Sequence, residues 1–185
     1  MILSKIENVK PEQKLISIPD VDDKQVSPAI GNTYVSSSFQ TPVDVCVYMS
    51  AFLPDNAGLI LEPTAGIGNL VKALKQKGEV IAPDDFFKMP KQKFDWVVMN
   101  PPFTPMSKGY KILYDCMEMS DNIIALMPWL TIINGEKRTN DIMSFGLISI
   151  THLPRKIFNG ARVQTCILQM SKGYTENTRF VNYCC

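Results

Sequence analysis

The feature of this sequence that most constrains its fold is the segment FDWVVMNPPF at residues 94–103. Residues 94–99 are apolar or β-branched apart from Asp95, a pattern typical of a buried central strand. The two prolines that follow cannot donate to a sheet ladder, so they lead the chain out of the strand in a stiff, extended form. We therefore expect the Asn100 carboxamide at the carboxyl end of a central strand, with Phe103 just beyond it. In open α/β sheets, ligands bind at that edge.

A second segment, GLILEPTAGIGNL at residues 58–70, has the pattern of a strand, a tight turn and a helix. The apolar run ends in the acid Glu62, and a turn that contains Gly66 and Gly68 opens onto a helical pattern. Glycine permits tight backbone geometry and close approach to a ligand, and the start of a helix favours an anionic group. The segment predicts a ligand-binding loop, and its Glu-Pro-Thr-Ala-Gly-x-Gly-Asn form differs from the dinucleotide-binding G-x-G-x-x-G.

A third segment lies upstream and comprises Phe39-Gln40-Thr41-Pro42 followed by Val45, Tyr48 and Met49. In their order and composition, the three segments resemble the motifs of the gamma-type N6-adenine-specific DNA methyltransferases, over roughly residues 39–172. The resemblance implies transfer of a methyl group from S-adenosyl-L-methionine to the N6 amine of adenine, in DNA ahead of RNA. It also implies a Rossmann-like α/β fold with a mostly parallel sheet and one antiparallel strand, and a place in restriction–modification.

The resemblance further implies which residues carry the chemistry. Oxygen atoms of Asn100 and Pro101 would accept hydrogen bonds from the adenine amine and stabilise the positive charge that develops there. Phe103 would stack on an extruded base. The predicted catalytic residues are Asn100, Pro101, Pro102 and Phe103. The predicted cofactor-binding residues are Phe39, Thr41, Pro42, Glu62, Thr64, Ala65, Gly66, Gly68, Asp84, Asp85, Phe86 and Asn100, and no metal site is expected.

The chain departs from the family between Gly68 and Asn100. This stretch is too short for the two strand–helix units that the family has there, because each parallel crossover takes about a dozen residues or more. We therefore expect a fold shortened by about one such unit. Asp85-Phe86 then matches the pair that contacts the cofactor's adenine, whereas Asp84 has the offset from Glu62 of a ribose-binding acid. A helix cap or an acidic turn is the structural alternative for these acids.

Other residues near the same edge are predicted to contact the nucleic acid: Phe103, Lys108, Trp129, Arg155, Lys156 and Phe158. The segment 154–162 combines three cations with an aromatic, which suits phosphate contact and base stacking. Two alternatives stay open, because Trp129 can be a half-buried packing residue and Phe158 can lie in the core. Lys137 and Arg138 can contact phosphates or belong to a solvated face.

Composition sets outer limits on function. The 185 residues are 45% hydrophobic, which suits one domain with a substantial core, and 19 basic against 18 acidic residues give no overall electrostatic signal for nucleic acid. An odd number of cysteines without metal-ligand spacing favours reduced thiols, mostly in the core, of a cytoplasmic protein. No leader pattern and no apolar run of membrane-spanning length is present in the sequence.

The expected organisation has an N-terminal extension at 1–38 (a lid or partner surface), a methyltransferase domain at 39–172 and a C-terminal tail at 173–185. Specific duplex recognition requires an element that enters a groove, and we expect none in the roughly fifteen residues after Met170. We therefore expect relaxed sequence preference, an unpaired substrate, or recognition supplied by a partner subunit or a second copy. The alternatives are a catalytically inactive relative that binds nucleic acid or a partner, and a protein glutamine methyltransferase.

Hydrophobic periodicity predicts the remaining elements. The predicted helices are 42–52, with Thr41 as its cap, 69–77, 110–119 and 141–145, and the predicted strands are 79–82, 122–127, 147–153 and 163–170. The last two strands are expected to form an antiparallel pair. Residues 104–109 are expected to form a polar loop and 133–140 a charged segment, and His152 a structural residue.

Overall fold

The computed structural model describes residues 40–158 and 163–183, which contain seven strands and five helices. The strands are β1 (Leu59–Leu61), β2 (Glu79–Ile81), β3 (Trp96–Met99), β4 (Asn122–Pro128), β5 (Leu147–Leu153), β6 (Thr165–Ser171) and β7 (Arg179–Asn182). The helices are α1 (Val43–Ser50), α2 (Asn69–Leu74), α3 (Met106–Met119), α4 (Leu130–Ile133) and α5 (Glu136–Gly146). The predictions for Phe39, for the extension at 1–38 and for Cys184 and Cys185 lie outside the described residues.

All seven strands form one sheet in the order β2-β1-β3-β4-β6-β5-β7. Strand β6 runs antiparallel to both of its neighbours, β4 and β5, and every other pairing is parallel. The mostly parallel sheet with one antiparallel strand is therefore confirmed, as is the antiparallel pair formed by the 147–153 and 163–170 segments.

The core lies on both faces of the sheet, because successive side chains of a strand point to opposite faces. In β3, the fully buried Val97 and Met99 belong to one core cluster and Val98 belongs to the other. Helices α3 and α5 pack on the face of Val97, and α1 and α2 pack on the face of Val98. The predicted buried central strand is thus confirmed, with β1 and β4 on its two sides.

Two helices begin earlier than the sequence indicates. Helix α3 starts at Met106, inside the expected loop. The helix contains Gly109, which is a poor helix former. Glycine is needed there for packing, because a Cβ would lie 2.6 Å from the Pro102 carbonyl oxygen. Helix α5 starts at Glu136 inside the expected charged segment, where Lys137 pairs with Asp141 one turn later. Charge in both segments belongs to helix surfaces rather than to loops.

The sheet also extends beyond the predicted domain boundary. Residues 179–182 form β7, which pairs in parallel with β5 and places Phe180 opposite Ile150. Residues 179–182 are therefore not simply part of a tail, because their backbone forms the strand next to β5. The alternation in this segment is too short to predict a strand by itself.

Thiols and helix lengths bear on the compositional expectations. The cysteines among the described residues are buried free thiols, which confirms their expected place in the core: Cys46, Cys116 and Cys166. Within 40–158 and 163–183, no helix combines the length and apolarity needed to cross a bilayer.

Candidate active site

The second motif and the Asn-Pro-Pro-Phe motif meet at one edge of the sheet. Strands β1 and β3 are parallel neighbours, with Leu61 opposite Val97, so the turns that follow them lie side by side. The Thr64 hydroxyl oxygen lies 3.2 Å from the Asn100 carbonyl oxygen and 3.3 Å from Oε1 of Glu62. Because a hydroxyl carries one proton, Thr64 can donate to only one of these acceptors at a time.

Glu62 is a buried carboxyl group with one unsatisfied oxygen. Its side chain is 1% exposed, and Oε1 accepts a hydrogen bond of 3.1 Å from the Thr64 backbone N–H. Its Oε2 atom has no hydrogen-bond partner among the described residues. Burial raises the pKa of Glu62 to about 8. A cationic ligand group placed against Oε2 would satisfy this atom and favour the ionised carboxylate.

The Gln40–Thr41 segment is held against the glycine loop. Oε1 of Gln40 accepts a hydrogen bond of 3.1 Å from the Ile67 backbone N–H, and the Thr41 carbonyl accepts one of 3.1 Å from the Asn69 side chain. Gly66 has a positive φ of 56°, and any Cβ there would collide with the Gln40 side chain. The Gln40–Thr41 segment and the glycine loop are therefore one packed unit.

The same segment reaches Asn100. The Asn100 side-chain Nδ2 donates to the Thr41 hydroxyl at 2.9 Å, and Thr41 is only 6% exposed. The expectation that Thr41 caps α1 is wrong: the N-cap is Pro42, without a side-chain cap bond, because the Thr41 hydroxyl is engaged by Asn100. Hydrogen bonds thus join all three motifs.

The exit from β3 is packed on both sides. Pro101 is buried, Pro102 and Phe103 are half-buried, and Phe103 packs against the core cluster of α1 and α2. On the other side, Gly109 of α3 allows close approach of the Pro102 carbonyl. Close packing fixes the backbone around Asn100.

On the glycine loop, Gly68 has a φ of 86°, and a Cβ there would meet no atom of residues 40–158 or 163–183 within 4 Å. The positive φ favours glycine, and none of these residues fills the space against the backbone where a ligand could lie. Thr64 and Ala65, the other predicted loop residues, are both half-buried.

The acids expected to bind the cofactor's adenosine lie in a turn after β2. Asp85 accepts a hydrogen bond of 3.1 Å from the Phe87 N–H, which caps a short 3₁₀ helix at Phe86–Lys88, and it lies 3.3 Å from the Lys88 ammonium. Phe86 is buried in the core, and Asp84 is exposed. Asp85 therefore occupies the cap position that the structural alternative describes, and its cofactor role stays a prediction.

Among the residues expected at the substrate, Trp129 and Phe158 pack inside the protein. Trp129 is half-buried and makes edge-to-face contacts with His152 and Phe180, at centroid distances of 6.2 Å and 5.6 Å. Phe158 is 7% exposed within the core, so its ring offers little face to a base. Phe158 therefore lies in the core, as the structural alternative describes.

The predicted basic contacts divide into exposed and engaged side chains. Lys108, Arg155 and Lys156 are exposed. Arg138 is engaged: it stacks on Tyr110 at 4.0 Å and donates to backbone carbonyls at the end of α4. The phosphate-contact hypothesis for Arg138 is therefore replaced by a helix-capping role.

Sequence reasoning gave no role to Gln40 and Asn69, although both occur within the quoted motifs. Their side chains hold the Gln40–Thr41 segment to the glycine loop. The position of Asn69, directly after Gly68, was the only signal for such a role.

A separate open hollow of about 420 Å³ lies at the opposite edge of the sheet, lined by Gly58, Asp95 and Asn122 among others. It contains none of the predicted site residues.

Comparison with known proteins supports the fold. No protein-family model and no curated protein matches the sequence. The solved type I restriction–modification methyltransferase subunit from Streptococcus thermophilus is similar in structure, with a TM-score of 0.63, 17% identity, and coverage of 78% of this chain and 47% of that one. The EcoKI type I restriction enzyme M protein is also similar in structure, with a TM-score of 0.60 and 15% identity. The match covers 78% of this chain and 48% of the M protein.

A protein from Listeria monocytogenes, for which a class I S-adenosylmethionine-dependent methyltransferase function is proposed, gives a TM-score of 0.57, 14% identity, and coverage of 80% and 67%. The chain thus spans about half the length of the two type I proteins. At these identities the likeness concerns the fold. The described sheet and its helices have the Rossmann-like fold of S-adenosylmethionine-dependent methyltransferases.

Proposed function

We propose that this chain transfers a methyl group from S-adenosylmethionine to the N6 amine of adenine in DNA. The observation that carries the proposal is the hydrogen-bonded contact of Asn100 with Thr41 on one side and Thr64 on the other. These contacts set a carboxamide directly beside a loop suited to a small charged ligand. The proposed hydrogen-bond acceptor for the substrate amine and the proposed cofactor loop then lie at the same edge of the sheet.

The residues at this edge fit the cofactor chemically. S-adenosylmethionine, when bound, supplies a methyl group activated by a sulfonium, and it carries an ammonium and a carboxylate. The unsatisfied Oε2 of Glu62 suits a cationic group, and no described residue blocks the approach of a ligand to the backbone at Gly68. Pro42, Thr64, Ala65 and Gly66 complete the proposed methionine end. Asp84 and Asp85 are the proposed adenosine contacts, and Phe86, like Phe158, is buried in the core and offers little of its ring to a ligand.

The proposed chemistry at the substrate is electrostatic. The amine of adenine is a weak nucleophile because its lone pair is delocalised into the ring. Oxygen acceptors on Asn100 and Pro101 would hydrogen-bond its two N–H groups and stabilise the charge that develops as the new N–C bond forms and the S–C bond breaks. One amine proton then leaves to water. Because Pro101 is buried and Asn100 is half-buried, water would compete only in part for these bonds.

Substrate recognition is proposed to be shared with another chain. Since the near-neutral net charge gives little general attraction to phosphates, this chain alone should bind DNA weakly. It spans about half the length of its type I structural neighbours, of which one is described as a methyltransferase subunit. We propose that a partner subunit or a second copy supplies target recognition, and that Phe103, Lys108, Arg155 and Lys156 contact the strand that carries the target base, with Trp129 behind them.

Methyl transfer to single-stranded DNA, duplex DNA and RNA tests the proposal. Asn100→Ala should lower transfer by about 10²–10³-fold, the usual cost of removing one group that stabilises developing charge, and should leave cofactor binding by calorimetry within about a few-fold. Asn140→Ala, an exposed asparagine on α5, is the matched control and should behave as wild type. Equal activity of Asn100→Ala and wild type would refute the assignment. A protein that binds no S-adenosylmethionine at millimolar concentration would favour the inactive alternative.

A further inference from the structure

We propose that Thr41 is a positioning residue that holds the Asn100 carboxamide by its nitrogen and so presents the oxygen to the substrate amine. The consequence for methyl transfer rests on the proposed function. The geometric part concerns the protein alone. The inference gives Thr41 a role distinct from cofactor contact and from helix capping.

The orientation of this carboxamide matters because its two ends have opposite hydrogen-bonding character. The nitrogen is only a donor and the oxygen is only an acceptor. An adenine amine has two N–H donors, so a carboxamide turned by half a rotation would set donor against donor. The Asn100 nitrogen donates to the Thr41 hydroxyl at 2.9 Å, so the oxygen is the end that does not contact Thr41.

Thr41 can impose this orientation because its own position is fixed by several contacts. Its carbonyl accepts from the Asn69 side chain at 3.1 Å and from the Cys46 thiol at 3.6 Å. The neighbouring Gln40 is bonded to the Ile67 N–H of the glycine loop, and Pro42 begins α1 with φ fixed by its ring. The hydroxyl therefore belongs to a rigid segment.

The environment strengthens the bond. Thr41 is 6% exposed, Pro101 is buried and Asn100 itself is half-buried, so the bond is partly shielded from water. Hydrogen bonds gain strength where water is excluded. The bond links residues 59 positions apart in sequence, and it ties the strand exit to the segment that also holds the glycine loop.

Proton exchange of the Asn100 side-chain amide, followed by NMR in the ligand-free protein, tests the geometric part. The signal is identified by its loss in Asn100→Asp. Thr41→Val, which removes the hydroxyl at nearly constant volume, should speed exchange by about three- to tenfold, the factor expected for one lost hydrogen bond. Thr41→Ser should retain the wild-type rate. Equal rates in wild type and Thr41→Val would overturn the proposal.

Kinetics test the functional part. Thr41→Val should lower kcat by about tenfold, because the misplaced acceptor acts in the transition state, while KM for the nucleic acid and Kd for S-adenosylmethionine change by no more than about twofold. Thr41→Ser should restore kcat. A rise in the Kd of Thr41→Val with unchanged kcat would show a cofactor contact only and contradict the proposal.

Controls separate the failures. Thr131→Val removes a fully buried hydroxyl that has no partner among the described residues, so it should match wild type in both assays. Thr41→Ala repeats the deletion with a smaller side chain if Thr41→Val does not fold. Should wild type methylate no nucleic acid, the proposed function fails, and amide exchange in the Thr41 variants still decides whether Thr41 holds Asn100.

Discussion

The two halves of the sheet are built differently. Strands β1, β2 and β3 have only three or four residues each, whereas β4, β5 and β6 have seven. The short strands carry the candidate active site on the loops that follow them, and hydrogen bonds of Thr41, Thr64 and Asn100 hold those loops. The long strands hold much of the apolar core. The difference indicates that the long strands contribute mainly packing, whereas the short strands also carry the candidate chemistry.

The largest effect is expected from a deletion in the long-strand half. Leu126 of β4 is fully buried, so Leu126→Ala should lower the free energy of unfolding by about 2–5 kcal/mol. Urea denaturation measures this loss. Leu130→Ala, at a leucine that is 49% exposed, is the matched control and should cost far less. Equal losses in the two variants would contradict the assignment of the core to β4.

Gly109 links α3 to the candidate site, and its replacement by alanine should destabilise the protein, contrary to the usual effect of this substitution in a helix. Alanine normally stabilises a helix relative to glycine by about 0.5–1 kcal/mol. A Cβ on Gly109 would lie 2.6 Å from the Pro102 carbonyl oxygen, so Gly109→Ala should instead destabilise the protein by about 1–3 kcal/mol and reduce methyl transfer. Thermal unfolding and the transfer assay measure both effects. Ser107→Ala, at an exposed position of the same helix, is the control. If Gly109→Ala stabilised the protein, α3 would not be packed tightly against the Pro102 backbone.

The buried carboxyl group predicts a pH dependence. Because the pKa of Glu62 is raised from 4.5 to about 8, its contribution to stability is fully present below about pH 4.5 and is lost as pH rises through 8. Glu62→Gln should therefore be more stable than wild type by on the order of 1 kcal/mol or more at pH 9, with the difference shrinking toward acid pH. Unfolding at several pH values, without ligand, measures it.

Binding of the cofactor should reverse the preference of Glu62 for its protonated form. A cationic cofactor group would favour ionised Glu62, so binding of S-adenosylmethionine near pH 7 should release a proton and weaken in Glu62→Gln. Calorimetry in buffers of different ionisation enthalpy counts the proton. Binding without proton release, and with equal affinity in the variant, would place Glu62 outside the cofactor site.

The smallest effect is expected at Thr64. Its hydroxyl is shared between the Glu62 carboxylate and the Asn100 carbonyl, so Thr64→Val should cost about 0.5–1.5 kcal/mol of stability. Thr64→Ser should match wild type in urea denaturation. A loss as large as that of Leu126→Ala would show that the short-strand half carries more of the stability than its packing indicates.

Sequence patterns predict the elements of the site better than the contacts between them. The β3 exit and the glycine turn follow from local chemistry, since proline and glycine restrict the backbone wherever they occur. The bond between Thr41 and Asn100 spans 59 positions, and no local pattern contains such a partner. For the same reason, the packing of Gly109 against Pro102 could not be predicted from the sequence. The start of α3 was therefore predicted too late in the chain.

Mass spectrometry of nucleosides from DNA incubated with the protein and S-adenosylmethionine tests the central claim most directly. Wild type should produce N6-methyladenine, and Asn100→Ala should produce at least about 10²-fold less while it still binds the cofactor. A wild-type protein that binds the cofactor yet leaves adenine unmodified in single-stranded and duplex DNA, or an Asn100→Ala variant that methylates as well as wild type, would contradict the account.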